Sequence, residues 1–159
     1  MWQLVQKLKD GKVEVGDLPF PLNSSGTILV RNRYSLISPG TEGSTVKAAR
    51  KGLIGKAKER PQQVKQVLDV LKTQGIKSTV RAVRKKLESL SPLGYSCVGQ
   101  VIEVGSGVTS IRVGDYAACG GNTANHAEVV AIPENLCVKL NIDSDVEIES
   151  SLKSAAYNT

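Results

Sequence analysis

The stretch Leu93–Cys119, LGYSCVGQVIEVGSGVTSIRVGDYAAC, decides the fold. An apolar run, Cys97–Val104, reads as a strand, and Gly105-Ser106-Gly107 follows it. Gly-x-Gly after a strand invites a dinucleotide-binding reading. That fingerprint needs Gly-x-Gly-x-x-Gly at a strand-to-helix junction, where helix N–H groups meet a pyrophosphate. Here Ser110 occupies the third glycine position, and VTSIRVGDYAAC alternates and turns as strands do. The motif therefore fails on composition and on context. Gly105 and Gly107 read instead as a tight turn between two barrel strands.

Working outward, the flanks are also strand-like. LVQKLK and KVEVGD flank Asp10-Gly11, a pair that suits a type I′ hairpin within Met1–Val15. TILVRNRYSLIS predicts a strand with Ile28, Val30, Asn32 and Tyr34 on one side and Leu29, Arg31 and Arg33 on the other. Pro39, Gly40 and Gly43 then break the chain. Further strands are expected at Tyr116–Cys119, His126–Ile132 and Cys137–Leu140, and an acidic first turn near 143–149 opens a final helix. Between the strand regions the period changes. Val64, Val67, Leu68 and Leu71 form one helical stripe and Ile76, Val80, Val83 and Leu87 a second, with Gly75 interrupting them. A shorter helix is expected at about Thr45–Ala57. The fold expected is mainly β, an irregular barrel with a helical insertion at about 44–90, α+β overall.

The 159 residues suffice for one domain with a real core. Aromatics are only 4%, so Val, Ile, Leu and Ala must build it. There is no signal-like N-terminus and no apolar run long enough to span a bilayer, so a soluble, cytoplasmic protein without membrane contact is expected. Cys97, Cys119 and Cys137 are odd in number, contain no Cys-x-x-Cys pair, and share the chain with one histidine, His126. Neither a disulfide framework nor a zinc site is expected from that spacing. The net charge of +6 is concentrated. Residues 45–90 hold thirteen Lys or Arg against three acids, while the rest holds eight basic and twelve acidic groups.

The quoted stretch resembles the segment of medium-chain dehydrogenase/reductases written G-H-E-x-x-G-x-V-x-x-V-G-x-x-V-x-x-x-x-x-G-D-x-V. The matching residues are Gly94, Gly99, Val101, Val104, Gly105, Val108, Gly114 and Asp115. ANHAEVVAIPENLCVKL resembles that family's A-E-Y and proline run, and SLISPGTEGS its C-G-T-D loop. The SPGTE form and the long basic insert are most similar to the dehydrogenase-like part of bacterial bi-domain oxidoreductases of the threonine dehydrogenase-like branch. The resemblance implies a GroES-like substrate-side domain over 1–150. Residues 151–159 would begin the link to a Rossmann domain that this chain lacks, so NAD(P) is expected only with that missing domain. In the family's zinc enzymes the C-G-T-D cysteine and the G-H-E histidine hold the catalytic metal. Here those positions are Pro39 and Tyr95, and Ser96 replaces the glutamate. Proline cannot ligate zinc and tyrosine seldom does. The resemblance thus implies a zinc-independent alcohol dehydrogenase-like oxidoreductase, inactive alone.

By the same resemblance Thr41, Tyr95 and Ser96 are the candidate catalytic hydrogen-bonding groups. Ser38, Glu42, Asn122 and His126 are candidate substrate contacts. Each also has a plain structural reading: Thr41 and Glu42 suit a helix start, Tyr95 suits packing, and His126 suits a solvated loop. The substrate expected is a small molecule, with a sugar nucleotide or another anionic compound among the options; homo-oligomers are an option too. The alternative function is a non-catalytic binding module. Its basic arm, including Lys77, Arg81, Arg84 and Lys85, would hold an anionic partner. The lack of aromatics in 45–90 speaks against single-stranded nucleic acid as that partner.

Overall fold

The strand after the Gly94 turn, β5 (Ser96–Val104), is buried on both faces from Cys97 to Gly99. Its side chains alternate, so Cys97 and Val101 enter one core while Val98 enters another. That double burial is why Cys97, Val98 and Gly99 show no polar alternation, which begins only with Gln100. The computed structural model describes residues 1–40, 42–44, 47, 61–142 and 148–158. Among these, the elements are β1 (Trp2–Lys7), β2 (Val13–Asp17), β3 (Thr27–Ser35), α1 (Pro61–Glu88), β4 (Leu90–Pro92), β5, β6 (Tyr116–Gly120), β7 (Val129–Pro133), β8 (Cys137–Leu140) and α2 (Ile148–Asn158). The mainly β, α+β expectation holds. The strands lie in two sheets, ordered β2-β1-β4 and β7-β3-β5-β6-β8, and do not close into one barrel.

Two compact units result. The first comprises Met1–Leu4, Val15–Ser38 and Pro92–Thr159; the second comprises Val5–Glu14 and Pro39–Ser91. In the first, Ile28, Val30, Cys97, Val101, Ile111, Ala117, Cys119, Val130 and Ile132 pack on one face of the five-stranded sheet. On the other face Leu152 and Ala156 of α2 pack on Val98 and Ala118, joined by Tyr34, Tyr116 and Leu140. Tyr34 was expected beside Ile28 and Val30. It lies on the opposite face, because β3 carries an extra residue, Arg33, against β5 between Asn32 and Tyr34; at the other irregularity, beside Leu29 and Val30, the extra residue is Ile102 of β5. Each irregularity changes which side chains point inward.

In the second unit, α1 is broken at Gly75, whose φ of 77° and ψ of 173° are not helical. The two stripes read from the sequence are thus two limbs, 61–74 and 76–88. The Thr79 hydroxyl donates to the Gly75 carbonyl at 2.8 Å beside the break. Val67 and Val70 face Ala82, Val83 and Leu87 across a groove of about 370 Å³. The helix expected at Thr45–Ala57 lies outside the described residues except at Lys47. The hairpin forms, but not through a type I′ turn. That turn needs positive φ at both central residues, and Asp10 does not have it, whereas Gly11 has φ 72°. The loop is longer: Lys7 N–H donates to Lys12 C=O, Gly11 N–H to Lys7 C=O, and Asp10 Oδ1 accepts from Lys12 N–H at 2.9 Å. Two other boundaries moved. β4 was unforeseen, and β7 starts at Val129 rather than His126.

Candidate functional site

Within the first unit, the Gly94-Tyr95 segment meets the Asn122–His126 loop. The Leu93 carbonyl accepts the His126 N–H at 2.8 Å, and the His126 carbonyl accepts the Leu4 N–H at 2.8 Å. Gly94 has φ 106°, and a Cβ there would lie 2.5 Å from His126 N. Only glycine permits both that conformation and that approach. The Asn125 amide nitrogen, in the orientation that satisfies both its ends, faces the carbonyls of Asn122 at 3.2 Å and Gly94 at 3.3 Å. Tyr95 and the chain's one imidazole are therefore on adjoining segments.

His126 has a second role in this geometry. Its Nδ1 and the Ser35 hydroxyl are 2.8 Å apart, a hydrogen bond whose donor depends on the imidazole tautomer. Asn32 fixes the loop that carries the ring by donating its amide N–H groups to the carbonyls of Asn125 (3.1 Å) and Ala127 (2.8 Å). These residues line a shallow hollow of about 330 Å³ together with Trp2, Arg33 and Glu128. The sequence reading missed Ser35, Asn32 and Trp2 here. They lie ninety or more residues from His126, and no local pattern brings them together. The sequence shows Trp2 only as the chain's one tryptophan; its exposure, unusual for an indole, is visible in the structure alone.

The other expected site residues are distributed as follows. Tyr95 and Ser38 are half-buried and Asn122 is exposed, all in the first unit. Ser96 was expected to face substrate and does not. It is fully buried, and its hydroxyl donates to the Ala156 carbonyl at 2.9 Å, which ties β5 to α2. Thr41 lies outside the described residues. Glu42 is half-buried in the second unit, where Lys77, Arg81, Arg84 and Lys85 are exposed along α1. Arg84 pairs with Glu88 at 2.9 Å.

The residues present do not fit a dinucleotide at the glycine turn. A Cβ on Gly105 would collide with the Ser24 carbonyl, so that glycine serves a close approach of two chain segments. Gly26 N–H donates to the Ser106 carbonyl at 2.8 Å, which occupies the turn's backbone. The next element is β6, not a helix. The three cysteines stand side by side across β5, β6 and β8, with Cys97 opposite Cys119 and Cys119 opposite Cys137. All are free thiols. The Cys119 sulfur and burial push the Cys137 thiol well above its ordinary value, which makes it a poor thiolate. Among the described residues no group of three or more His, Cys, Asp or Glu is arranged to hold a metal ion, and no helix is long and apolar enough to cross a membrane.

No family model and no curated protein matches this sequence. Solved structures do. Escherichia coli quinone oxidoreductase complexed with NADPH is similar over 100% of this chain and 37% of its own, at 16% identity and a TM-score of 0.63. Escherichia coli galactitol-1-phosphate dehydrogenase is similar over 99% of this chain and 41% of its own, at 16% identity and a TM-score of 0.62. The quinone oxidoreductase of Coxiella burnetii covers 87% of this chain and 36% of its own, at 19% identity and a TM-score of 0.54. At these identities the likeness is one of fold. The chain has the fold of part of these oxidoreductases and spans well under half the length of each.

Proposed function

We propose that this chain is the substrate-side domain of a zinc-independent, NAD(P)-dependent oxidoreductase of the alcohol dehydrogenase type. The cofactor is then carried by a dinucleotide-binding domain outside it. The observation that supports this most is the fold likeness over the whole chain to an oxidoreductase complexed with NADPH, of which it covers only 37%. The cofactor supplies hydride; the residues of this chain position the substrate and polarise its oxygen. Pro39 and Tyr95 stand where zinc enzymes of the resembled family have ligands, so polarisation falls to hydroxyl groups. Tyr95 is the first candidate donor and Thr41 the second. The test joins this chain to a dinucleotide-binding domain and, with a carbonyl compound supplied as hydride acceptor and reduced to the alcohol, follows NADPH oxidation after dialysis against a chelator. Activity is expected to survive, and Tyr95→Phe to lower kcat by about 10²-fold. Loss of activity with the metal and its return with zinc would refute the reading, as would the absence of any NADPH fluorescence change.

A second reading is favoured by one observation. Lys77, Arg81 and Lys85 present one sign of charge beside exposed aliphatic side chains, Ile76 at 72% and Val80 at 60%. An ordinary solvated helix face mixes signs. The arm would then hold an anionic partner. Retention on heparin that falls steeply with salt, and is lost on charge reversal at Lys77, Arg81, Arg84 and Lys85, is the expected result. Retention unchanged by the reversal counts against it.

A further inference from the structure

Trp2 is the chain's one tryptophan, and 57% of it is exposed. It does not stand alone on a smooth surface. It lines the hollow that also holds Asn32, Arg33, Ser35, His126 and Glu128, all within the first unit. The hollow, at about 330 Å³, is at the low end of ligand-pocket volumes, the size for a single ring rather than a dinucleotide. Its chemistry is mixed in a particular way. The Ser35–His126 pair, 2.8 Å apart, offers a hydroxyl and an imidazole edge, groups that donate or accept. Arg33 only donates and Glu128 only accepts. One cation and one anion leave the lining without net charge, so neither an anionic nor a cationic ligand is favoured. Part of the Glu128 carboxylate is already engaged, because its Oε2 accepts the Trp2 backbone N–H at 2.8 Å, and this bond fixes the main chain that carries the indole. The loop bearing His126 is held by the two Asn32 bonds. Platform and polar edge are therefore both anchored before any ligand arrives, which lowers the ordering cost of binding.

We propose that this hollow binds a neutral, hydroxyl-rich ring of the pyranose class. The C–H face of the ring stacks on the electron-rich face of Trp2. Its hydroxyls exchange hydrogen bonds with Arg33, Glu128 and the Ser35–His126 pair. The proposal rests on the substrate-side reading only in taking this ligand for the substrate; binding itself needs no cofactor and no second domain.

The probe is the indole Nε1–H cross-peak of Trp2 in an ¹H–¹⁵N correlation spectrum, unique because there is one tryptophan. Methyl β-D-glucopyranoside and methyl β-D-galactopyranoside are titrated into the whole chain. At least one is expected to shift the peak saturably, with a dissociation constant of about 1–10 mM. Arg33→Ala and Ser35→Ala should each weaken it by about fivefold, the loss of one hydrogen bond, without changing the rest of the spectrum. Cyclohexanol, a ring without the polyol, should bind at least tenfold more weakly. The proposal is overturned if neither glycoside moves the peak at about 100 mM, if cyclohexanol binds as well, or if both variants bind like the parent. Failure here with intact NADPH oxidation by the joined domains removes the ring site and leaves the oxidoreductase reading standing.

Discussion

The Gly94→Ala substitution tests the juxtaposition on which the candidate site depends. Two costs apply. An alanine at φ 106° occupies a region L-residues avoid, worth about 1–2 kcal/mol. Its Cβ would also lie 2.5 Å from His126 N and 2.9 Å from the Asn125 carbonyl carbon, both backbone atoms that cannot rotate away. Relief requires the two segments to part, which sacrifices the bond from His126 N–H to the Leu93 carbonyl, about 1 kcal/mol more. The total is about 2–3 kcal/mol. Gly114→Ala supplies the control. Its φ is 94°, but nothing lies within 4 Å of a Cβ there, so only the conformational cost of about 1–2 kcal/mol applies. Urea denaturation followed by circular dichroism measures both. The amide signals of Asn125 and His126 should move in the Gly94 variant alone. Equal destabilisation in the two variants, with those signals unmoved, would refute the close approach.

Two further outcomes are expected. Ser96→Ala should destabilise by about 1–3 kcal/mol, because the Ala156 carbonyl loses its buried donor; thermal melts measure this, and a shift near zero would mean that the hydroxyl does not hold α2. The Lys139 ammonium at 2.9 Å holds the Asp115 carboxyl below its ordinary value of 3.8, so the pair stabilises the fold above that pH and the contribution fades as pH falls through the lowered value. Asp115→Asn should therefore lower neutral-pH stability by about 0.5–1 kcal/mol and leave a flatter acid limb below about pH 4; parallel pH profiles for parent and variant would contradict that sign.

Much of the fold was legible because it depends on local physics. β5, β6 and β8 announced themselves by period and composition, and Gly75 marked the helix break because no other residue there tolerates its φ. Failure of the glycine fingerprint was legible too, since a helix must follow such a motif and the residues after Gly107 alternate instead. Less was legible where one residue's register decides the outcome. The extra residue in β3, Arg33, moved Tyr34 onto the face of α2, and no feature of TILVRNRYSLIS marks it, because a bulge is set by what the partner strand presents.

The site divides along the same line. Residue types alone determined that Pro39 and Tyr95 make poor zinc ligands and that positive charge gathers in 45–90. Only the tertiary structure decided that the Ser96 hydroxyl is spent on a helix end, and that Ser35, Asn32 and Trp2 share a hollow with His126. Those contacts join residues 91–126 apart in the sequence at 2.8–3.1 Å, and residues so distant meet only once the strands have paired. Local sequence carries the propensity to form each strand, while the pairing of whole strands selects which side chains meet.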